Sequence, residues 1–140
     1  MAQAKLKVIL LRATPDSDEL VALGARLCYA KADLDALQEK VESSDQRAFV
    51  ERVMQRGHLS VTEHASFTFA VEGVSRALLA QLTRHRIASF SVQSQRYVSM
   101  ADGFDYVIPP AIEALGGDAK QEFIRQMETM HAWYCVWQEK

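Results

Sequence analysis

Between Gln81 and Tyr97 the chain reads Gln-Leu-Thr-Arg-His-Arg-Ile-Ala-Ser-Phe-Ser-Val-Gln-Ser-Gln-Arg-Tyr. Arg84, His85 and Arg86 are consecutive, and Arg96 follows ten residues after Arg86. Ser89, Ser91, Gln93, Ser94 and Gln95 fill the gap with hydroxyls and amides, and none of those residues is acidic. A guanidinium is a rigid fork of donors that matches phosphate or carboxylate oxygens in pairs. Short hydroxyl side chains and free backbone N–H groups can complete such a cradle. The pattern points to a site for a small polyanion. The alternative is a set of solvated cations at a helix end, where positive charge suits the macrodipole. That alternative explains one arginine better than it explains three without a local acid.

A second polar run, His58-Leu59-Ser60-Val61-Thr62-Glu63-His64, holds two imidazoles, two hydroxyls and a carboxylate. A metal centre needs converging ligands held by further hydrogen bonds. The spacing differs from the helical His-Glu-x-x-His pattern, so no metal site is assigned. His64 reads instead as a hydrogen-bonded histidine at the start of a strand. Cys28 and Cys135 are too few and too distant for a disulfide framework or a zinc motif, which favours a reduced, cytoplasmic compartment.

The chain of 140 residues carries a formal net charge of −2. Its length suits one domain with a real core. Nucleic-acid binding normally shows a basic surplus and aromatic interleaving, and neither is present. Met1 to Lys7 is too polar for a signal peptide, and no apolar run is long enough to span a membrane.

The elements that would position these residues follow from local rules. A strand is expected from about Lys5 to Arg12. Thr14 and Pro15 read as N-cap and first helical residue of a helix to about Ala30, with Leu20, Leu23 and Leu27 at helical spacing. Cys28 on that helix reads as a small packing residue. Lys31 to Ser44 fits a short helix or a mobile connection. Ser44 and Asp45 can cap the next helix, whose stripe is Phe49, Val50, Val53 and Met54, and Gly57 closes it. Ala65 to Val71 alternates as a half-buried strand. Ser75 can cap a helix through about Arg86, with Gln81 and Arg84 on one face and Leu78 and Leu82 in the core. The serine-bearing loop Ile87 to Arg96 follows. Pro109-Pro110 stops regular pairing, Gly116-Gly117 is a break, and a last helix shows a packing seam at Phe123, Met127, Met130, Tyr134 and Trp137. That helix is still periodic at Lys140, so the sequence reads as cut rather than finished.

Arg84-His85-Arg86, seven residues, then Ser94-Gln95-Arg96-Tyr97, resembles the signature of the flavin-dependent thymidylate synthases. Gly57-His58, Glu63-His64 and Phe67-Thr68-Phe69 are similar to that family's approach to the motif. The resemblance covers Gly57 to Val98 closely, and the rest of the chain by order of elements. It implies an α+β fold, helices packed on a curved, mostly antiparallel sheet, in a homotetramer with sites where subunits meet. It implies reductive methylation of deoxyuridine monophosphate (dUMP) to thymidylate. Methylenetetrahydrofolate would supply the carbon, and FAD would carry hydride from NADPH. By the same resemblance Ser60, His58, Arg84, His85, Arg86 and Val92 stand at cofactor-binding positions. Gln81, Arg84, Val92, Gln93, Ser94, Gln95 and Arg96 stand at substrate-binding positions. No residue of this chain is assigned a catalytic role, and Ser94 is assigned to binding because nothing supplies a base for it.

Two departures are visible. Many members have Glu or Gln where this chain has Val92, and the amide here is the next residue, Gln93. The family also continues past Lys140 with an arginine placed against the uracil ring; Arg125, the only arginine after Arg96, stands too early to be its counterpart. Residues 1–140 are therefore expected to form a single domain of this family, C-terminally truncated. A catalytically incomplete module that binds a nucleotide or a partner on the same scaffold is the alternative.

Overall fold

The computed structural model describes residues 1–31 and 33–140. It contains two compact units, Ile9–Ala70 and Met1–Val8 with Val71–Lys140. Strands β1 (Lys7–Ala13) and β2 (Phe67–Glu72) pair as a small antiparallel sheet. Its register is marked by Lys7 Nζ to Glu72 Oε1 at 3.1 Å near one end and by Thr14 N to Ser66 O at 2.9 Å near the other. The expected half-burial of β2 is not observed. Phe67 and Phe69 are both 54% exposed, as are most apolar residues of β1. Alternation sets which side chains share a face, but coverage of that face depends on what packs against it.

Within Ile9–Ala70, helices α1 (Ser17–Leu27), α2 (Leu34–Glu42) and α3 (Arg47–Gln55) surround a core of Val21, Ala22, Val41 and Val50, with Leu23, Phe49, Val61 and Ala65 packed on it. The capping role expected of Thr14 is overturned. Its hydroxyl accepts from Ser66 N at 2.9 Å, so a strand-end bond takes the group the helix would have used. Helix α1 starts two residues later than Pro15, behind Asp16 in the left-handed region at φ 46°. It ends at Leu27, and Cys28 is exposed rather than packed, with its thiol donating to Gly24 O at 3.5 Å. The buried face of α1 is Val21, Ala22 and Ala25, while Leu20 and Leu27 are exposed. Small residues let neighbouring elements approach closely, which the leucine spacing could not reveal.

Of the Lys31–Ser44 segment, Leu34–Glu42 forms a helix, and Ala32 lies outside the described residues. Asp33 caps α2 by accepting from Ala36 N at 2.9 Å, and Leu37 and Val41 are buried. Before α3, Asp45 Oδ1 accepts from Arg47 N at 2.9 Å. Gln46 is 2% exposed. Its amide donates to Val41 O at 3.0 Å and Ser44 O at 2.8 Å, and it accepts from Arg26 Nη2 at 3.0 Å. The Arg26 guanidinium lies 3.9 Å from the centre of the Phe49 ring. A buried amide with all these partners avoids the penalty of an orphaned polar group. Gly57 ends α3 as expected, at φ 84°, with Gly57 N on Met54 O at 2.9 Å and His58 N on Val53 O at 3.3 Å. This is the paired-bond helix stop that favours glycine.

In the other unit, helices α4 (Arg76–Leu82), α5 (Pro110–Leu115) and α6 (Gly117–Gln138) carry the structure. Ser75 caps α4 by accepting from Leu78 N at 3.1 Å. Helix α4 ends at Leu82, not near Arg86: Thr83 N still makes the helical bond to Leu79 O, but Arg84 N and His85 N bond three residues back, to Gln81 O and Leu82 O, which closes the last turn. Leu78 and Leu82 are exposed, correcting the expected core face, and Leu79 is half-buried. Pro109 and Pro110 start α5, and Gly116 at φ 94° breaks the chain before α6. The seam on α6 is rotated from the one expected. Phe123, Met127 and Tyr134 are half-buried, but Met130 and Trp137 are 45% and 71% exposed. His131 and Cys135 take the covered positions. Met100 decides this rotation: its N–H donates to Tyr134 Oη at 3.2 Å, and its carbonyl lies 2.9 Å from His131 Nε2. Among the described residues no helix is long and apolar enough to cross a membrane.

Candidate functional site

Arg84, His85 and Arg86 occupy the turn after α4. Arg84 N donates to Gln81 O at 3.2 Å and His85 N to Leu82 O at 3.2 Å, the closing bonds of the helix. Gln81 and Arg84 are thus joined through the terminal turn rather than by a shared helical face. The position has an electrostatic consequence. The last carbonyls of a helix carry partial negative charge, so cations are favoured there and their donors remain free for another anion.

All of Gln81, Arg84, His85, Arg86 and Ile87 to Gln93 are exposed. Among the described residues no carboxylate pairs with Arg84, His85, Arg86 or Arg96; the ion pairs are Lys7–Glu72, Arg47–Asp18, Lys120–Glu113 and Arg125–Glu122. The structure thus leaves Arg84, His85 and Arg86 exposed at a helix end, the arrangement of the solvated-cation alternative, and among the described residues without a carboxylate partner.

Ser94 is half-buried at the far side of the loop. Its hydroxyl accepts from Arg96 N at 3.2 Å and its carbonyl from Val98 N at 3.1 Å, so Ser94 organises the turn that presents Arg96. The guanidinium of Arg96 stands 5.7 Å from the centre of the Tyr97 ring. Gln93 and Gln95 line a cavity of about 1000 Å³ together with Arg76, Phe104 and Tyr106. Arg84, His85, Arg86 and Arg96 are outside its lining. Val92 is 45% exposed, and only its backbone could offer a polar group to a ligand. Among the described residues nothing placed as a base hydrogen-bonds the Ser94 hydroxyl, which suits a binding role.

His58 and Ser60 belong to the Ile9–Ala70 unit. His58 follows Gly57, and Ser60 lies in an exposed 3₁₀ turn, Leu59–His64. Gly24 admits this turn onto α1: a Cβ there would stand 2.7 Å from His64 Cδ2. His64 closes the 3₁₀ turn and packs on Gly24; β2 begins three residues later. Among the described residues no three His, Cys, Asp or Glu side chains converge as a metal site requires.

Arg76 bears on the same loop. Its Nη2 donates to the carbonyl of Gln93 at 3.0 Å, across seventeen residues of chain. A lone arginine at a helix start carries no sequence signal for such a role.

Comparison with known proteins agrees with the motif. The profile described as "Thymidylate synthase complementing protein" matches residues 9–140. A flavin-dependent thymidylate synthase of Geobacter sulfurreducens is 56% identical over 110 residues, which is 78% of this chain and 47% of that protein. One of Nitratidesulfovibrio vulgaris is 47% identical over 139 residues, 96% of this chain and 56% of that one. One of Clostridium tetani is 44% identical over 129 residues, 92% and 51% of the two chains. The chain thus spans about half the length of the curated relatives it matches. With the profile match running across both units and the Arg-His-Arg turn, the chain belongs to the thymidylate synthase complementing protein family.

Proposed function

We propose that this chain forms part of a flavin-dependent thymidylate synthase that converts dUMP to thymidylate, with methylenetetrahydrofolate as carbon donor and NADPH as reductant. The observation that carries this reading is that Arg84, Arg86 and Arg96, at the motif positions of a chain of this family, pair with no carboxylate among the described residues. Their donor chemistry fits FAD and a nucleotide: exposed guanidiniums with no protein carboxylate, followed by hydroxyls and amides, suit phosphate oxygens. When bound, FAD would carry hydride from NADPH.

Within that reading, Arg84, His85, Arg86 and Val92 contact the flavin nucleotide, Ser60 reaches it from a neighbouring subunit, and His58 helps order the flavin or the folate. Gln81, Arg84, Val92, Gln93, Ser94, Gln95 and Arg96 surround dUMP, the last of them holding its phosphate. The chain's own work is to bind and orient, and no residue of it moves a proton in this assignment. The reading includes a homotetramer with sites where subunits meet; apolar surface on β1, on β2 and on α6 at Trp133, Val136 and Trp137 is exposed and available for such contacts. We assign residues 1–140 to a single domain of the family fold, whose helices pack on a larger, curved antiparallel sheet, in a cytoplasmic protein.

The test is titration with FAD followed by flavin fluorescence, then with dUMP. Saturable binding that weakens in Arg84→Ala and Arg86→Ala is expected. A protein with no measurable affinity for either ligand would overturn the proposal. Ligand binding without thymidylate formation, in a chain extended to its relatives' length, would identify a nucleotide-binding module instead.

A further inference from the structure

The loop after α4 leaves at Thr83 and returns at Gln93, and the residues from Gln81 through Gln93 are exposed. A segment with so little burial has few contacts of its own to hold one conformation. The return point is fastened by Arg76, the first residue of α4, whose Nη2 donates to Gln93 O at 3.0 Å. A cation at a helix N-terminus is disfavoured by the macrodipole, and the Gln93 carbonyl supplies compensating partial negative charge. The next residue is Ser94, whose hydroxyl and carbonyl hold Arg96 N and Val98 N. A single clasp thus connects α4, which ends in the Gln81–Arg84 turn, to the turn that presents Arg96.

We infer that Arg76 is a positioning residue: by bonding the Gln93 carbonyl it sets the Ser94–Arg96 turn in register with α4 and so shapes the nucleotide phosphate site. The inference rests on the proposed reading for the ligand, but the clasp itself is independent of it.

The test uses the whole chain without ligand and then with dUMP. Amide hydrogen exchange at Arg96 and Val98 is measured in the wild type, Arg76→Ala and Arg76→Lys. Thermal midpoints confirm that each variant is folded. In Arg76→Ala both amides should exchange about tenfold faster, and the dUMP dissociation constant should rise by about tenfold, as expected for loss of a charge-assisted bond. Arg76→Lys retains a donor and should recover part of both effects. Unchanged exchange in Arg76→Ala with weakened dUMP binding would overturn the inference, because Arg76 would then act on the ligand directly. Faster exchange with unchanged dUMP affinity would overturn it too. A wild type that does not bind dUMP would defeat the proposed function, while the exchange comparison would still decide whether the clasp holds the loop.

Discussion

Gly73 links β2 to the helix that ends in the arginine turn, and replacing it by alanine is the sharpest test of how the unit is built. Gly73 has φ 72°, and a Cβ there would lie 2.0 Å from Lys5 O, 2.4 Å from Lys5 C and 2.9 Å from Leu6 N. All three atoms are backbone, so no side chain can swing aside. To regain an ordinary contact of 3.4 Å the Lys5 peptide must retreat by roughly 1.4 Å. That movement would pull on the start of β1, where Lys7 meets Glu72. The left-handed conformation costs an alanine about 1–2 kcal/mol, and forced overpacking adds about 1–3 kcal/mol. Gly73→Ala should therefore destabilise by about 2–5 kcal/mol, a large share of the roughly 5–15 kcal/mol typical of a folded domain. Urea unfolding followed by far-UV circular dichroism reads this as a midpoint lowered by roughly 1 M or more, given slopes of about 1–3 kcal/mol per M. Gly57→Ala separates the two terms. Gly57 also has positive φ, 84°, but nothing lies within 4 Å of its added Cβ. It should lose only the conformational share, about 1–2 kcal/mol. Equal losses at the two positions, or an unmoved midpoint for Gly73→Ala, would refute the collision.

Further outcomes can be checked alongside it. Gly24→Ala drives a Cβ to 2.7 Å from the His64 ring; it should cost about 1–3 kcal/mol by overpacking, read as a lower thermal midpoint and faster exchange in the Leu59–His64 turn. Gln46→Ala removes the buried amide that serves Val41, Ser44 and Arg26; chemical denaturation should show a loss of about 2–4 kcal/mol, since each orphaned buried group costs about 1–3 kcal/mol. An unchanged midpoint would show the network to be dispensable. Arg96→Ala, at an exposed residue, should leave the thermal midpoint in place yet weaken dUMP binding by about 1–3 kcal/mol. The loss should shrink as salt is raised, and an unchanged titration would remove Arg96 from the site.

Local chemistry made much of this chain legible from its residues alone. The stop at Gly57, the Ser75 cap, the Pro109-Pro110 boundary and the break at Gly116 depend on neighbours within a few residues, so their rules operate on sequence. The Arg-His-Arg and Ser94-Gln95-Arg96 pieces belong to this class, because a donor-rich run without an acid is visible before any fold is known. What the tertiary structure decided was competition for the same group by a distant partner. Thr14 could cap α1, but Ser66 holds its hydroxyl. The α6 stripe could have turned Trp137 inward, but Met100 binds Tyr134 and lies against His131. Leucine spacing marked one face of α1, but its small residues admit the closer neighbours. Nothing in the sequence marks Arg76, and only the fold brings its guanidinium to 3.0 Å from the carbonyl of Gln93. In each case a hydrogen bond or close contact formed across many residues outweighed a local preference worth about 1 kcal/mol or less, and only the folded chain brings such partners together.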